Sequence, residues 1–160
     1  MDTVTIRPAT AADAVAVAAI ARAAWGRIYS GYRDILGDEL YELWFSDALE
    51  RKERTVTDTV MQGGMYVSCR GEEVVGFISY IYDKRTELGM IGNNAVSPAH
   101  RGLGIGGRQY EFILERLRES GARGVTVMTG LDEGHAAARR AYEKAGFQKG
   151  LPSITYYQKL

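Results

Sequence analysis

The stretch "VSPAHRGLGIGGRQ" occupies residues 96–109, and its reading decides the fold. Glycine holds positions 102, 104, 106 and 107. Glycine costs backbone order, so such a run marks a place where the chain needs unusual angles or lets a ligand come close. Just downstream, Tyr110, Ile113, Leu114 and Leu117 follow i, i+3, i+4, i+7 spacing, which predicts a helix over about 107–120 with Gly121 as its stop. A glycine loop that opens a helix gathers N–H groups at the positive end of the helix dipole, where an anion binds.

Three phosphate-loop patterns compete for these letters. The nucleotide P-loop needs Lys-Ser or Lys-Thr after its glycines, and none follows. The dinucleotide fingerprint Gly-x-Gly-x-x-Gly matches at Gly102, Gly104 and Gly107, with Asp132 downstream as an imitation of its ribose acid. That fold runs its strand almost directly into the first glycine, whereas Ser97, Pro98, Ala99, His100 and Arg101 intervene here. The third pattern is Arg-x-x-Gly-x-Gly, from Arg101 to Gly106. A plain glycine turn between strand and helix satisfies the letters as well.

Working outward, "VTIR" (4–7) alternates and stops at Pro8, as a short strand does. Thr10 caps a helix running to about residue 24, with Asp13 as the capping-box acid. A second helical segment covers about 37–61, and the aromatic "WGRIYSGYRDI" (25–35) between them reads as a turn. Strands are predicted at 65–69, 74–82 and 88–96. Asn93 and Asn94 are poor strand formers that tolerate unusual backbone angles, so a bulge is expected at the end of the third. A strand over 125–129, a helix over about 134–145 and a terminal pair of strands in "FQKG" and "SITYYQKL" complete the order β-αα-βββ-α-β-α-ββ. That is an α/β arrangement around a mixed sheet, expected as one domain over residues 1–160.

Composition narrows the function classes. Twenty basic residues balance twenty acidic ones in 160 residues, without the basic surplus of a nucleic-acid binder. No apolar run approaches the ~20 residues of a membrane span. The N-terminal residues lack a signal-peptide layout, so a cytoplasmic protein is expected. The single cysteine, Cys69, lies in an apolar stretch and reads as a packed small residue. His100 reads as a surface loop residue.

The segment "HAAARRAYEKAGF" (135–147) adds a second motif. Together with "VSPAHRGLGIG" it resembles the GNAT N-acetyltransferase superfamily. That family carries Gln/Arg-x-x-Gly-x-Gly/Ala after a strand ending in Val-x-Pro, then Asn-x-x-Ala-x-x-x-Tyr-x-x-x-Gly-Phe. Ala138, Tyr142, Gly146 and Phe147 stand in register with the second motif, while His135 replaces its Asn. The opening "TIRPAT" with Asp13 is also similar to the family's first strand and turn.

The resemblance implies an α+β fold with a mixed, mostly antiparallel sheet, and acetyl-CoA as co-substrate with no metal. Asn94, Ala95 and Val96 would border the pantetheine arm, in a gap between the fourth and fifth strands. The Val96 N–H would polarise the thioester carbonyl. Arg101, Gly102, Leu103, Gly104, Ile105, Gly106 and Gly107 would hold the pyrophosphate. Tyr142 would face the sulfur and protonate the leaving thiolate. His135 and Ala138 would lie on the cofactor side, with His135 in a helix-start or cofactor role and not as a base. The acceptor, an amine of a small molecule or protein, would meet Trp25, Tyr29, Tyr32 and Asn93. No carboxylate is assigned as base among Asp83, Glu87, Asp132 and Glu133, and a water chain serves equally. A non-catalytic acyl-CoA sensor is the alternative, and the last strand could support a homodimer.

Overall fold

A computed structural model describes residues 4–160. Five strands form one sheet in the order β1-β2-β3-β4-β5: β1 (Val4–Pro8), β2 (Met65–Arg70), β3 (Glu73–Asp83), β4 (Leu88–Val96) and β5 (Gly124–Val127). The first four pair antiparallel, and β5 lies parallel to β4. Helices α1 (Ala14–Phe45), α2 (Ala48–Met61), α3 (Ile105–Glu119) and α4 (Ala136–Lys144) cover the sheet.

Strand alternation builds two cores, one on each face. Val17, Ile20 and Ala21 of α1 and Val56 and Val60 of α2 pack on Met65, Val67, Cys69 and Phe77. Ile78 and Ile91 face the other way, against Tyr110, Ile113 and Leu117 of α3 and Tyr142 of α4. Each such side chain contributes about 1.5–3 kcal/mol by leaving water. Cys69 is one of these packed residues. The turn after β1 is tied by Asp13, whose carboxylate receives both Arg7 Nη atoms at 2.8 and 2.9 Å and the Thr10 N–H at 2.7 Å.

Two expectations about chain path are corrected. The segment 25–35 is helical, not a turn: α1 continues through it and breaks only at Gly37, whose φ is +76°. Gly26 and Gly31 each cost roughly 1 kcal/mol inside a helix. The packing of Tyr29, Tyr32 and Phe45 against one another offsets that cost. Trp25, Tyr29 and Tyr32 stand at i, i+4, i+7, a helical signal that the glycines obscured. The terminal strand pair is also absent, and residues 147–160 hold no regular structure. Instead Tyr157 packs on Trp44 and Phe45, at ring separations of 5.5 and 5.8 Å, and Lys159 pairs with Glu39. β-Branched and aromatic content makes a strand only where an edge lies alongside. Here the tail is held against α1.

Candidate active site

The sheet opens between β4 and β5. Their pairing runs from Leu88–Gly124 to Ile91–Val127 and then ends. At the same point the register with β3 slips: Ile91 faces Tyr80 but Asn94 faces Ile78, so Gly92 and Asn93 together oppose Ser79. The extra residue is a bulge, which bends a strand and increases its twist. Ser79 Oγ donates to the Asn93 carbonyl at 3.2 Å. A Cβ on Gly92 would stand 2.6 Å from that Oγ, so glycine is needed there. Beyond the bulge, the Ser97 N–H donates to the Val75 carbonyl at 2.8 Å. Peptide groups alternate sides along a strand, so the N–H groups of Asn94 and Val96 point away from β3, into the space that β5 has left.

One face of this gap is closed by a chain of hydrogen bonds. Tyr110 Oη donates to Asn94 Oδ1 at 2.8 Å. Asn94 Nδ2 donates to Tyr142 Oη and to the Gly92 carbonyl, each at 3.1 Å. The Tyr110 and Tyr142 rings lie 5.2 Å apart. Burial raises the Tyr142 pKa, partly opposed by its hydrogen bonds to Asn94 and Tyr110, so the phenol is neutral at physiological pH. Its oxygen accepts from the Asn94 amide in this chain. Ala138 lies one turn before Tyr142 and packs against the same core.

The glycine loop stands at the end of β4. Gly102 and Gly104 have φ of +78° and +73°, angles that cost other residues about 1–2 kcal/mol. Gly104 is the N-cap of α3 and, lacking a side chain, makes no capping hydrogen bond. The first-turn N–H groups, which have no partners within a helix, therefore remain for an incoming anion. A Cβ at Gly102, Gly104 or Gly107 would meet nothing within 4 Å, so these glycines border open space and fill no packing need. Gly106 packs against Val96, and buried Ile105 anchors the turn, while Arg101 and Leu103 are exposed. Across the gap, Thr129 Oγ1 is buried without a hydrogen-bond partner among the described residues. Capless helix N-terminus, open glycines and unpaired hydroxyl fit a pyrophosphate joined to an amide-bearing arm. His100 is not a surface residue: it sits in a 3-10 turn, largely buried, with Nε2 3.7 Å from Glu73.

The other mouth faces α1 and α2. Trp25 stacks on Phe77 at 6.5 Å, and Tyr29 meets Tyr32 edge-on at 5.7 Å. Burial first, then the Asp132 carboxylate, pushes Tyr32 up to about 12. The His135 ring lies 6.4 Å from Tyr32, and its Nδ1 lies 2.7 Å from Asp132 Oδ2. The imidazole therefore does not cap α4. Arg139 braces the same loop by donating to the Gly130 and Asp132 carbonyls, each at 2.8 Å. Asn93 meets Lys52, whose Nζ donates to Asn93 Oδ1 at 2.8 Å and sits 4.5 Å above the Trp25 ring. Lys52, Arg139 and Thr129 escape the sequence reading because nothing local marks them, and of Asp132 and His135, both weighed there, only the mutual contact was missed. Asp83 and Glu87 lie at the opposite end of β4, engaged by Thr86 and Arg123.

Comparison with known proteins completes the description. A sequence profile described as the acetyltransferase (GNAT) family matches residues 27–147. Mycothiol acetyltransferase of Corynebacterium glutamicum is 35% identical over 86 residues, covering 54% of this chain. The chain spans only 28% of the length of that relative. Among solved structures, the PaiA N-acetyltransferase of Thermoplasma acidophilum in complex with coenzyme A aligns with a TM-score of 0.72 at 15% identity, covering 91% of this chain and 90% of that one. A GNAT family acetyltransferase of Brucella melitensis in complex with acetyl-CoA aligns at 0.59 with 20% identity, covering 98% and 97%. At such identities the structural likeness is one of fold. Among the described residues, no helix is long and apolar enough to cross a membrane.

Proposed function

This chain belongs to the acetyltransferase (GNAT) family, and we propose that it moves the acetyl group of acetyl-CoA to an amine of a small molecule or protein by direct attack. The observation that carries this reading is the β4–β5 opening, which joins the Tyr142 hydroxyl to the uncapped start of α3. Bound acetyl-CoA would supply a carbonyl activated as a thioester.

The chain's own groups divide the remaining work. The backbone from Arg101 to Gly107 would bind the pyrophosphate, drawn by the α3 dipole. Asn94, Ala95 and Val96 would border the arm on the β4 side, with Thr129, His135 and Ala138 opposite. The Val96 N–H would donate to the acetyl oxygen, where negative charge develops. Tyr142 Oη would give its proton to the departing sulfur, whose model thiol pKa is about 8.5. An ammonium has no lone pair, so an acceptor amine with a pKa near ~10 must first lose its proton. Among the described residues no carboxylate is hydrogen-bonded to the Asn93 or Asn94 side chain, and that proton would leave to water at the α1–α2 mouth.

Two measurements test the reading. Calorimetry should detect acetyl-CoA binding to the purified protein, and thiol titration should detect coenzyme A release with at least some members of an amine panel. Absence of acetyl-CoA binding sinks the proposal. Tight binding with no turnover across the panel, and no effect of Tyr142→Phe, replaces it with a sensor.

A further inference from the structure

Lys52 differs from the other lysines in position and company. Lys84, Lys144, Lys149 and Lys159 are exposed, whereas Lys52 is half-buried. It has no carboxylate in ion-pair range among the described residues, although Glu50 and Glu53 lie on the same helix. Both of those turn to Arg22. Other carboxylates of α1, of the α1–α2 turn and of the loop before α4 are engaged in the same way: Asp47 by Arg51, Asp38 and Glu42 by Arg33, and Asp132 by His135. Burial alone, with no neighbouring charge, acts on the Lys52 ammonium, and it acts to lower its pKa. What holds the cation is the Asn93 amide oxygen at 2.8 Å and the face of Trp25 at 4.5 Å. A desolvated cation without a counter-ion is costly, and an anion that joined it would offset part of that cost.

Its place in the fold indicates which anion. The α3–α4 face of the gap is closed by Tyr110 and Tyr142, and the strand end is taken by the glycine loop. The α1–α2 face remains as the way in. There Lys52 binds the residue next to Asn94, beside the N–H groups that face the gap. Trp25, Tyr29 and Tyr32 supply aromatic walls, and the Asp132 carboxylate is held by His135. Such a mouth disfavours a polycationic acceptor and receives one negative charge.

We propose that Lys52 anchors a carboxylate carried by the acceptor, so that the substrate class is amino acids and related amino-carboxylates. The inference rests on the acetyltransferase reading for the identity of the acceptor, but the anion site itself does not need turnover. The test uses pairs that differ only in that charge. N-acetylglycine, N-acetyl-β-alanine, N-acetyl-γ-aminobutyrate and N-acetylphenylalanine are titrated against their primary amides by calorimetry, on the wild type, Lys52→Met and Lys52→Arg. The corresponding free amines are compared by kcat/KM with acetyl-CoA.

For at least one spacing, the wild type should bind the carboxylate roughly tenfold or more tightly than the amide, as expected for a hydrogen bond to a charged group. Lys52→Met should erase that preference, and Lys52→Arg should keep most of it, with thermal midpoints close to wild type. A wild type that treats acid and amide alike across the series overturns the inference, and if the free amines of the amide series are then acetylated the proposed function stands without it. An equal loss on both members of each pair in Lys52→Met also overturns it, because a structural bridge from α2 to β4 would act so. Lys52-dependent carboxylate binding without turnover of any amine upholds the anion site and sinks the acetyltransferase proposal.

Discussion

Replacing Tyr142 by phenylalanine separates chemistry from architecture at the centre of the gap. The substitution removes the oxygen that accepts from Asn94 Nδ2 at 3.1 Å. A hydrogen bond of this kind has a net worth of about 0.5–1.5 kcal/mol. The Asn94 amide is not stranded, because Nδ2 also donates to the Gly92 carbonyl and Oδ1 keeps the Tyr110 hydroxyl. The ring keeps its contacts with Tyr110 at 5.2 Å and Phe147 at 6.0 Å. Thermal unfolding should therefore fall by only about 1–6 °C for a chain of this size. Loss of a positioned general acid should lower kcat by roughly 10²–10⁴-fold. Acetyl-CoA affinity should change by no more than about twofold, since the lost interaction acts on the leaving group and not on ground-state binding. The raised pKa keeps the wild-type phenol protonated, so any loss of rate from its ionisation should lie above its ordinary value of about 10. An unchanged kcat, or a fall in kcat matched by an equal fall in acetyl-CoA binding, would refute the assignment.

Other substitutions probe the supports of the site. Gly76→Ala sets a Cβ 2.7 Å from Gln109 Nε2 and 2.9 Å from the Ala95 carbonyl oxygen. The backbone at Ala95 cannot swing aside, so a destabilisation of about 1–3 kcal/mol is expected, with weaker acetyl-CoA binding measured by calorimetry. Gly130→Ala drives a Cβ onto the Asp132 carboxylate and to 2.6 Å from His135 Nδ1. It should break the His135–Asp132 contact, and NMR should show displaced His135 ring resonances. Asp13→Asn loses the charge that Arg7 and Thr10 converge on, costing about 1–3 kcal/mol at neutral pH. Chiefly its hydrogen bonds with Arg7 hold the Asp13 pKa far below the usual range. Its contribution is therefore complete above the unfolded value of about 3.9 and fades as pH falls toward the folded one. Chemical denaturation at pH 7 and pH 3 should show the gap between wild type and variant narrowing in acid.

The glycine loop and the helices beside it were legible in the sequence because their determinants are local. A left-handed Gly102 and Gly104, a helix starting at Ile105, and Ala138 one turn from Tyr142 are consequences of short-range backbone geometry. So was a bulge near Asn93, although it takes in Gly92 and Asn93 while Asn94 pairs with Ile78. Tertiary packing decided the rest. Whether residues 25–35 turn or stay helical depended on Phe45, which packs on Tyr29 and Tyr32 from beyond the Gly37 break. Whether the C-terminal tail paired as strands depended on an available sheet edge, and Trp44 and Phe45 captured its Tyr157 instead. The contacts that give the site its chemistry join distant positions: Asn94 and Tyr142 are 48 residues apart, and Lys52 and Asn93 are 41 apart. A local pattern can specify a loop that suits a phosphate. The proton on Tyr142 and the charge on Lys52 meet the same bulge only because the sheet brings two helices to its opposite faces.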